Sequence, residues 1–233
     1  GLYMGILFLT FVPSTVQASI AFTSIAGGNV AAAIVSASLS SIVGVVATPL
    51  LAMLLMHTDH IEFSGTVFLD IAIQLFLPFV LGQLTRRWVG GFAKKPTTKW
   101  LDKFSVMMIV YSAFSASVVQ GVWTRVAWWQ IVVLIVLMAL IVIFMLWLTD
   151  QLAKRLGFNR ADRITIQFCG SKKSLAAGLP MAIIIFGAGS LGLMMLPIMI
   201  FHQVQLMICT WLAGRYARLD VVGAAAALEA SKK

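Results

Sequence analysis

The sequence predicts an all-α membrane protein in which two membrane helices are broken. Hydrophobic residues make up 61% of its 233 residues and charged residues only 11%, whereas a soluble domain holds about 25% charged residues. The apolar residues form long runs, and the charges lie mostly in the short segments between them, as membrane topology requires. Two apolar runs contain polar and helix-weakening residues in their interior, which indicates a break in each helix.

The net charge of +9 does not predict a nucleic-acid partner, because the basic residues lie in short loops between apolar runs. Cys169 and Cys209 stand in apolar surroundings, without the spacing of a metal site or a disulfide framework. We interpret both as small buried hydrophobic residues.

The first element is a broken helix. The apolar run from Gly1 to Val12 is too short to span a bilayer, which takes about 20 residues. Pro13-Ser14-Thr15 interrupts it, because proline removes a backbone donor and disfavours helix before it. A second half-helix is predicted from Val16 to Ala26, followed by a turn at Gly27-Gly28. Since the chain opens inside an apolar run without signal-peptide features, we expect further residues of a longer protein to precede Gly1.

Four uninterrupted spans are predicted next. They cover Val30 to Met56, Phe63 to Leu84, Phe104 to Gly121 and Trp128 to Leu148. Small residues in the first of these, such as Ser36, suit close helix packing. Asp70 and Gln74 lie one turn apart in the second, and a functional role for Asp70 is left open. The loop from His57 to Glu62 holds two histidines and two carboxylates, but it lacks the spacing of a known metal motif, so no metal site is predicted there.

The second broken helix is the most unusual stretch of the chain. Apolar residues from Ile164 to Gly170 precede the break at Ser171–Ser174, and a half-helix follows from Leu175 to Phe186. The break contains Lys172 and Lys173, and an ionisable group at bilayer depth costs at least about 2.5–3.5 kcal/mol. Backbone that leaves the helix at this depth must be buried in protein or line a wet cavity. The stretch therefore predicts a solute or ion site, unless the lysines lie near an interface and snorkel outward.

The last predicted span runs from Leu191 to Leu212 and carries His202, Gln203 and Gln205. We expect Gln203 to face the break, with His202 supporting the site from behind. The loops after Leu84, Leu148 and Leu212 hold 14 of the 17 lysines and arginines. The positive-inside rule then places these loops and the C-terminus in the cytoplasm of a multi-pass plasma-membrane protein. Residues 219–233 are expected to form a mobile cytoplasmic tail.

The two broken helices share one plan. Each break is followed by a half-helix, a Gly-containing turn and a span with a proline, Pro49 or Pro197. The span from Val30 to Met56 ends the first repeat, and three whole spans then precede the second broken helix, so each repeat holds five crossings and the two copies are inverted. Inverted repeats with paired broken helices are typical of secondary transporters, whose site lies where the breaks cross. About seven of ten spans would then be present in this chain.

Both breaks also carry a family resemblance. Residues 13–31 and 168–176 resemble the signature segments of bile acid:sodium symporter-like proteins, in the bacterial SBF-like branch related to the seventh member of solute carrier family 10. The resemblance runs along nearly the whole chain. It implies a ten-helix fold with a panel and a core domain, of which this chain would be helices four to ten. Residues 1–56 and 122–218 would belong to the core, and residues 57–121 to the panel.

The resemblance also implies a sodium site built from Ser, Asn and Thr groups of the first broken helix and its successor, and from a Glu and a Gln of the second. The matching positions are Gln17, Ser19, a looser match at Ser36, Gln167 in place of the Glu, and Ser171 or Lys172 near the Gln. A neutral Gln167 supplies no negative charge, and the ammonium of Lys172 opposes cation binding. These departures argue against sodium coupling.

Several functions stay open at this level. The first is a secondary transporter for a small organic anion, in which the lysines and half-helix N-termini bind a carboxylate, sulfate or phosphate, independent of sodium or coupled to protons. The second is a sodium symporter that uses oxygens of Gln17, Ser19, Gln167 and Ser171, with sodium as its one cofactor. The third is a membrane regulatory protein that does not transport. The candidate site residues are Ser14, Thr15, Gln17, Ser19, Ser36, Gln167, Ser171, Lys172, Lys173, Ser174 and Gln203.

An enzyme is not predicted. Ser174 beside Lys173 resembles a Ser–Lys dyad, but adjacent residues of a helix point apart and no oxyanion hole is evident. The expected partners are the lipid bilayer and a small organic anion, and the sequence does not predict an oligomeric state.

Overall fold

The computed structural model describes residues 1–56, 73, 77–93, 95–119, 121, 126–186 and 191–230. Over these ranges the protein is nearly all helical and contains no strand, which confirms the predicted all-α class. The helices are α1 Leu2–Phe11, α2 Val16–Ile25, α3 Val30–Leu55, α4 Leu77–Ala93, α5 Pro96–Val119, α6 Trp128–Arg155, α7 Arg160–Gly170, α8 Leu175–Phe186 and α9 Leu191–Ala230. The loop at 57–62, Asp70 and Gln74 lie outside the described residues.

Several of these helices are long and apolar enough to cross a membrane. Within the described ranges, four stretches meet this condition: Val30–Leu55, Trp128–Arg155, Arg160–Phe186 and Gly192–Leu219. The pair α1 and α2 becomes a fifth if it is counted as one broken span. The prediction of about seven spans in an inverted repeat is not tested by these residues and stays a prediction.

Both predicted breaks are present. Helix α1 ends at Phe11 and α2 begins at Val16, while α7 ends at Gly170 and α8 begins at Leu175. Pro13 has no backbone donor for the helix, and glycine weakens the helix at the second break. The half-helices therefore end where the sequence indicates.

Two predicted basic loops are largely helical instead. Helices α4 and α5 leave only residues 94 and 95 between them, where a loop from Thr85 to Lys103 was expected. Lysine and arginine are good helix formers, and Pro96 takes the favoured first position of α5. The expected loop from Thr149 to Arg163 is likewise shortened, because α6 continues to Arg155. The predicted mobile tail is helical as far as Ala230, since its alanine run favours helix.

The chain packs into two compact units. The first comprises Gly1–Val12, Gly44–Ala127 and Leu175–Ile198, and the second comprises Pro13–Val43, Trp128–Ser174 and Met199–Lys233. Both breaks belong to the second unit. These two units do not test the predicted division into a panel and a core domain, which stays a prediction.

In the first unit, α1 packs closely against the start of α9. A Cβ atom on Gly5 would collide with the carbonyl group of Met194, so only glycine permits this approach. The ring of Phe8 meets that of Phe186 edge to face, with centroids 5.4 Å apart. The hydroxyl of Thr48 donates to the carbonyl of Phe11 (2.7 Å) and so satisfies a backbone acceptor at the end of α1.

In the second unit, Asn29 joins the end of the first broken helix to the start of the second. Its backbone N–H donates to the carbonyl of Ala161 (3.2 Å), and its side-chain amide donates to Asp162 (2.8 Å). The hydroxyl of Thr165 donates to the carbonyl of Asn29 (3.0 Å). Asn29 also accepts from the backbone N–H of Ala32 (3.1 Å), as the N-cap of a helix does. One residue therefore fixes α2, α3 and α7 together.

Candidate functional site

The two breaks are joined to each other by hydrogen bonds. The backbone N–H of Ser174 donates to the carbonyl of Pro13 (2.9 Å). The hydroxyl of Thr15 donates to the carbonyl of Lys173 (2.9 Å). Backbone groups that a break releases from the helix need partners when water is excluded. The two breaks supply some of these partners to each other, and this pairing places residues 13–15 beside residues 171–174.

Serine hydroxyls satisfy the last carbonyl groups of α7. Ser14 donates to the carbonyl of Cys169 (2.9 Å), and Ser19 lies 3.4 Å from the carbonyl of Phe168. Ser171 donates to the carbonyl of Gln167 (2.7 Å). The last four carbonyls of a helix have no partner within it, so these three candidate residues complete the end of α7. All three serines are buried.

Gln167 links three helices and does not point into the junction of the breaks. Its side-chain amide donates to the carbonyl of Leu146 on α6 (3.0 Å). Its side-chain oxygen accepts from the hydroxyl of Tyr216 on α9 (3.0 Å). With 5% of its surface exposed, Gln167 has both ends of its amide engaged by packing partners.

Lys172 is buried at the junction of the breaks. Only 2% of its surface is exposed, so the interpretation that it snorkels to an interface is wrong. Its Nζ atom lies 4.2 Å from the ring centroid of Phe22 and 5.3 Å from that of Phe168. Among the described residues, this atom has no hydrogen-bond partner. The junction therefore holds an ammonium group between two aromatic rings.

Gln205 holds the backbone of the second break. Its side-chain oxygen accepts from the N–H of Lys173 (2.9 Å), and its side-chain amide donates to the carbonyl of the same residue (2.7 Å). The amide nitrogen also lies 3.0 Å from Nδ1 of His202. Gln205 is fully buried. One side chain thus pairs with both polar backbone groups of Lys173, whose own side chain is half-buried.

The expectation that Gln203 faces the break is wrong, because Gln203 is exposed and Gln205 makes the contact. Successive residues of an α-helix are turned by about 100°, so two positions apart they point to opposite sides. His202 and Gln205 are three residues apart and therefore lie on one face of the helix. This spacing could have identified Gln205 from the sequence.

Two other candidate residues are exposed. Gln17 is exposed on α2. Ser36 is exposed on α3, although its hydroxyl reaches the thiol of Cys169. Among the described residues, no group of histidine, cysteine, aspartate or glutamate side chains could hold a metal ion.

A small cleft opens at the basic end of the second unit. It has a volume of about 110 Å³ and is lined by Asp150, Arg160, Arg163, Ile164 and Tyr216. Asp150 pairs with Lys154 (2.7 Å) and with Arg163 (2.8 Å). Because Tyr216 also bonds Gln167, one side chain connects this cleft to the end of α7.

Comparison with known proteins identifies the family of this chain. Residues 1–218 match the sequence model of the SBF-like CPA transporter family. The chain belongs to the SBF-like CPA transporter family. This confirms the resemblance carried by the two breaks.

Proteins of several organisms are similar to this chain. It is 49% identical over 235 residues to an uncharacterized protein of Pseudomonas aeruginosa, covering 100% of this chain and 71% of that protein. It is 48% identical over 220 residues to the Escherichia coli protein called "Putative symporter YfeH", covering 93% and 66%. It is 30% identical over 212 residues to "Sodium/bile acid cotransporter 7" of Rattus norvegicus, covering 89% and 62%. The chain thus spans about two thirds of the length of these relatives.

The family and the names of these relatives indicate transporters and not enzymes. Together with the apolar helices, they identify a multi-pass membrane protein. The bacterial relatives point to the inner membrane.

Proposed function

We propose that the protein containing this chain is a secondary transporter for a small organic anion, which binds where the two breaks meet. The observation that carries this proposal is the buried ammonium of Lys172. Among the described residues, the titratable groups beside it are Cys169, Cys209 and His202, none of which is a carboxylate. A buried charge without a counter-ion is strongly unfavourable, and a bound anion supplies the missing negative charge.

The backbone around Lys172 supports an anion as the substrate. Helix α2 begins at Val16, and its N-cap residue Thr15 does not cap it with its side chain; the hydroxyl of Thr15 donates to the carbonyl of Lys173. The N-terminus of a half-helix carries partial positive charge, and transporters use such termini to bind anionic groups. The α2 terminus and Lys172 thus contribute charge of the same sign.

We propose that transport proceeds by alternating access around the crossing of the two broken helices, which are related by an inverted repeat with the C-terminus in the cytoplasm. The mutual hydrogen bonds of the breaks support this, because Pro13 and Thr15 pair with Ser174 and Lys173. Equivalent segments of two inverted copies meet in this way at the substrate site of secondary transporters.

We further propose that sodium does not bind at Gln167. Hard cations require several oxygen ligands, and the oxygen of Gln167 already accepts from Tyr216. The ammonium of Lys172 lies near the end of the same helix and repels a second cation. Sodium symport by the hydroxyl groups of Ser14, Ser19 and Ser171 is the competing function, because these oxygens keep free lone pairs.

Binding and uptake by the full-length protein test this proposal. Thermal unfolding in detergent is measured with a set of small carboxylates, sulfates and phosphates, and taurocholate is included because relatives are named for bile acids. Any anion that stabilises the protein is then followed for uptake into proteoliposomes, with sodium or with choline outside. We expect stabilisation by at least one anion, loss of this effect in Lys172→Met, and uptake that does not need sodium.

The matched control is Lys154→Met, which removes an exposed lysine of α6 and should leave anion binding unchanged. Uptake that requires sodium and survives Lys172→Met would favour the sodium symporter. A stable protein that neither binds nor transports any of these anions would favour the regulatory protein without transport.

A further inference from the structure

The rings around Lys172 form a cage for a cation. Phe22 of α2 and Phe168 of α7 stack with centroids 5.9 Å apart and planes inclined by 29°, and both are buried. The Nζ atom of Lys172 lies 4.2 Å and 5.3 Å from the two centroids. The face of an aromatic ring attracts a cation within about 6 Å of its centroid. Both rings therefore act on the same ammonium group.

The polar surroundings of the ammonium are sparse. Among the described residues Nζ lacks an oxygen or nitrogen partner, and its titratable neighbours are the thiol of Cys209, which interacts with it, the thiol of Cys169 and the imidazole of His202. The hydroxyl of Thr23, next to Phe22 in the sequence, is buried and reaches the thiol of Cys169. Aromatic faces, and not oxygen ligands, thus provide the main favourable contact of this charge.

We propose that the cage of Phe22 and Phe168 is a binding site for a primary ammonium cation, and that the side chain of Lys172 is its built-in occupant. Aromatic faces suit weakly hydrated organic ammonium groups, whereas sodium needs a shell of oxygen ligands. Removal of the lysine side chain leaves a cage that accepts a free alkylammonium ion of similar length. This inference concerns the resident cation and does not rest on the proposed function.

Chemical rescue of Lys172→Ala tests the inference. Thermal unfolding of the full-length protein in detergent is followed while butylammonium chloride replaces sodium chloride at constant ionic strength. We expect a saturable rise in the unfolding temperature of Lys172→Ala with butylammonium. Choline chloride, whose cation is bulkier, should produce no such rise when it replaces sodium chloride in the same way. The wild-type protein should not respond, because its cage is filled.

Lys173→Ala is the matched control, since it removes the neighbouring lysine and leaves Lys172 in place. An equal response of Lys172→Ala, Lys173→Ala and wild type to butylammonium would overturn the proposal, and so would the absence of any response in Lys172→Ala. Either result leaves the anion-uptake experiment unaffected, so the two proposals fail separately.

A second measurement applies if Lys172→Ala does not fold. Phe22→Leu is introduced into the wild-type protein and into the Lys172→Met background, and the fall in unfolding temperature is compared. A ring that binds the ammonium predicts a clearly larger fall when the lysine is present. Phe8→Leu, which removes a buried ring of the first unit, should cause equal falls in both backgrounds. Equal falls for Phe22→Leu would overturn the proposal.

Discussion

Gln205 shows how one side chain can replace the backbone hydrogen bonds that a break removes. A helix satisfies its own N–H and C=O groups, and at Lys173 both are taken up by the amide of Gln205. Asparagine and glutamine are suited to this task because the same group both donates and accepts. The second break therefore depends on a residue of the last helix.

Gln205→Leu should destabilise the protein, because it removes the acceptor of the Lys173 N–H and one of the two donors to the Lys173 carbonyl, which keeps the Thr15 hydroxyl. The loss of a buried hydrogen-bond partner costs about 1–3 kcal/mol, so a clear fall in the unfolding temperature is expected. Gln203→Leu, at an exposed position two residues away, should change the stability by less than about 0.5 kcal/mol. Equal effects of the two substitutions would contradict the role given to Gln205.

The substitution Gln167→Glu tests whether residue 167 joins helices by packing or binds a cation. A carboxylate cannot donate to the carbonyl of Leu146, and its charge would be buried, so we expect a loss of about 1–3 kcal/mol of stability. Added sodium should not restore it. Thermal unfolding with sodium or choline measures this, with Gln203→Glu as the exposed control. Recovery of Gln167→Glu by sodium alone would show that a cation site exists there.

At the scale of elements, the end of α7 is completed by side chains from the other broken helix. Ser14 and Ser19 reach the carbonyls of Cys169 and Phe168, which have no partners within α7. The two breaks therefore depend on each other, since the first segment satisfies the end of α7 and the second donates to the carbonyl of Pro13. This explains why serines cluster at both breaks.

Ser19→Ala removes one of these donors and leaves the carbonyl of Phe168 without it. The expected loss of stability is on the order of 1–3 kcal/mol, measured by thermal unfolding of the purified protein. Ser24→Ala alters an exposed serine of the same helix and should have little effect. Comparable falls in the two variants would mean that Ser19 has no special part in the junction.

The helix breaks could be predicted from the sequence, whereas the helix lengths could not. Pro13 acts through its own ring, so the position of the first break is a local property. The predicted loops around Arg86 and Lys154 turned out to be helical, because a basic residue is compatible with both a loop and a helix end. Asp150 and Lys154 form an ion pair four residues apart, which stabilises a helix. The count of basic residues alone predicted a loop at this position.

At the scale of the whole molecule, the sequence identified most residues of the junction but not their partners. Lys172 stood out because a charge in an apolar run is costly. Its aromatic neighbours Phe22 and Phe168 lie on different helices and look like ordinary apolar residues in the sequence. The choice of Gln205 over Gln203 depended on the rotation of α9, which a polar cluster in a span does not fix.

The predicted topology can be tested on the whole molecule in cells. Most basic residues lie in segments that the positive-inside rule assigns to the cytoplasm. A green fluorescent protein fused after Lys233 should therefore fluoresce, whereas alkaline phosphatase at the same point should be inactive. The reverse pair of results would contradict a cytoplasmic C-terminus.

We propose that the junction of the two breaks is a solute site that opens to water. Alkylation of Ser171→Cys with a membrane-impermeant maleimide tests this, in the full-length protein with Cys169 and Cys209 replaced by alanine. Ser171 is 3% exposed in this structure, so labelling reports opening of the junction. We expect that the native protein is labelled and that a stabilising anion slows the labelling reaction. Labelling that occurs only after denaturation, from either side of the membrane, would contradict it.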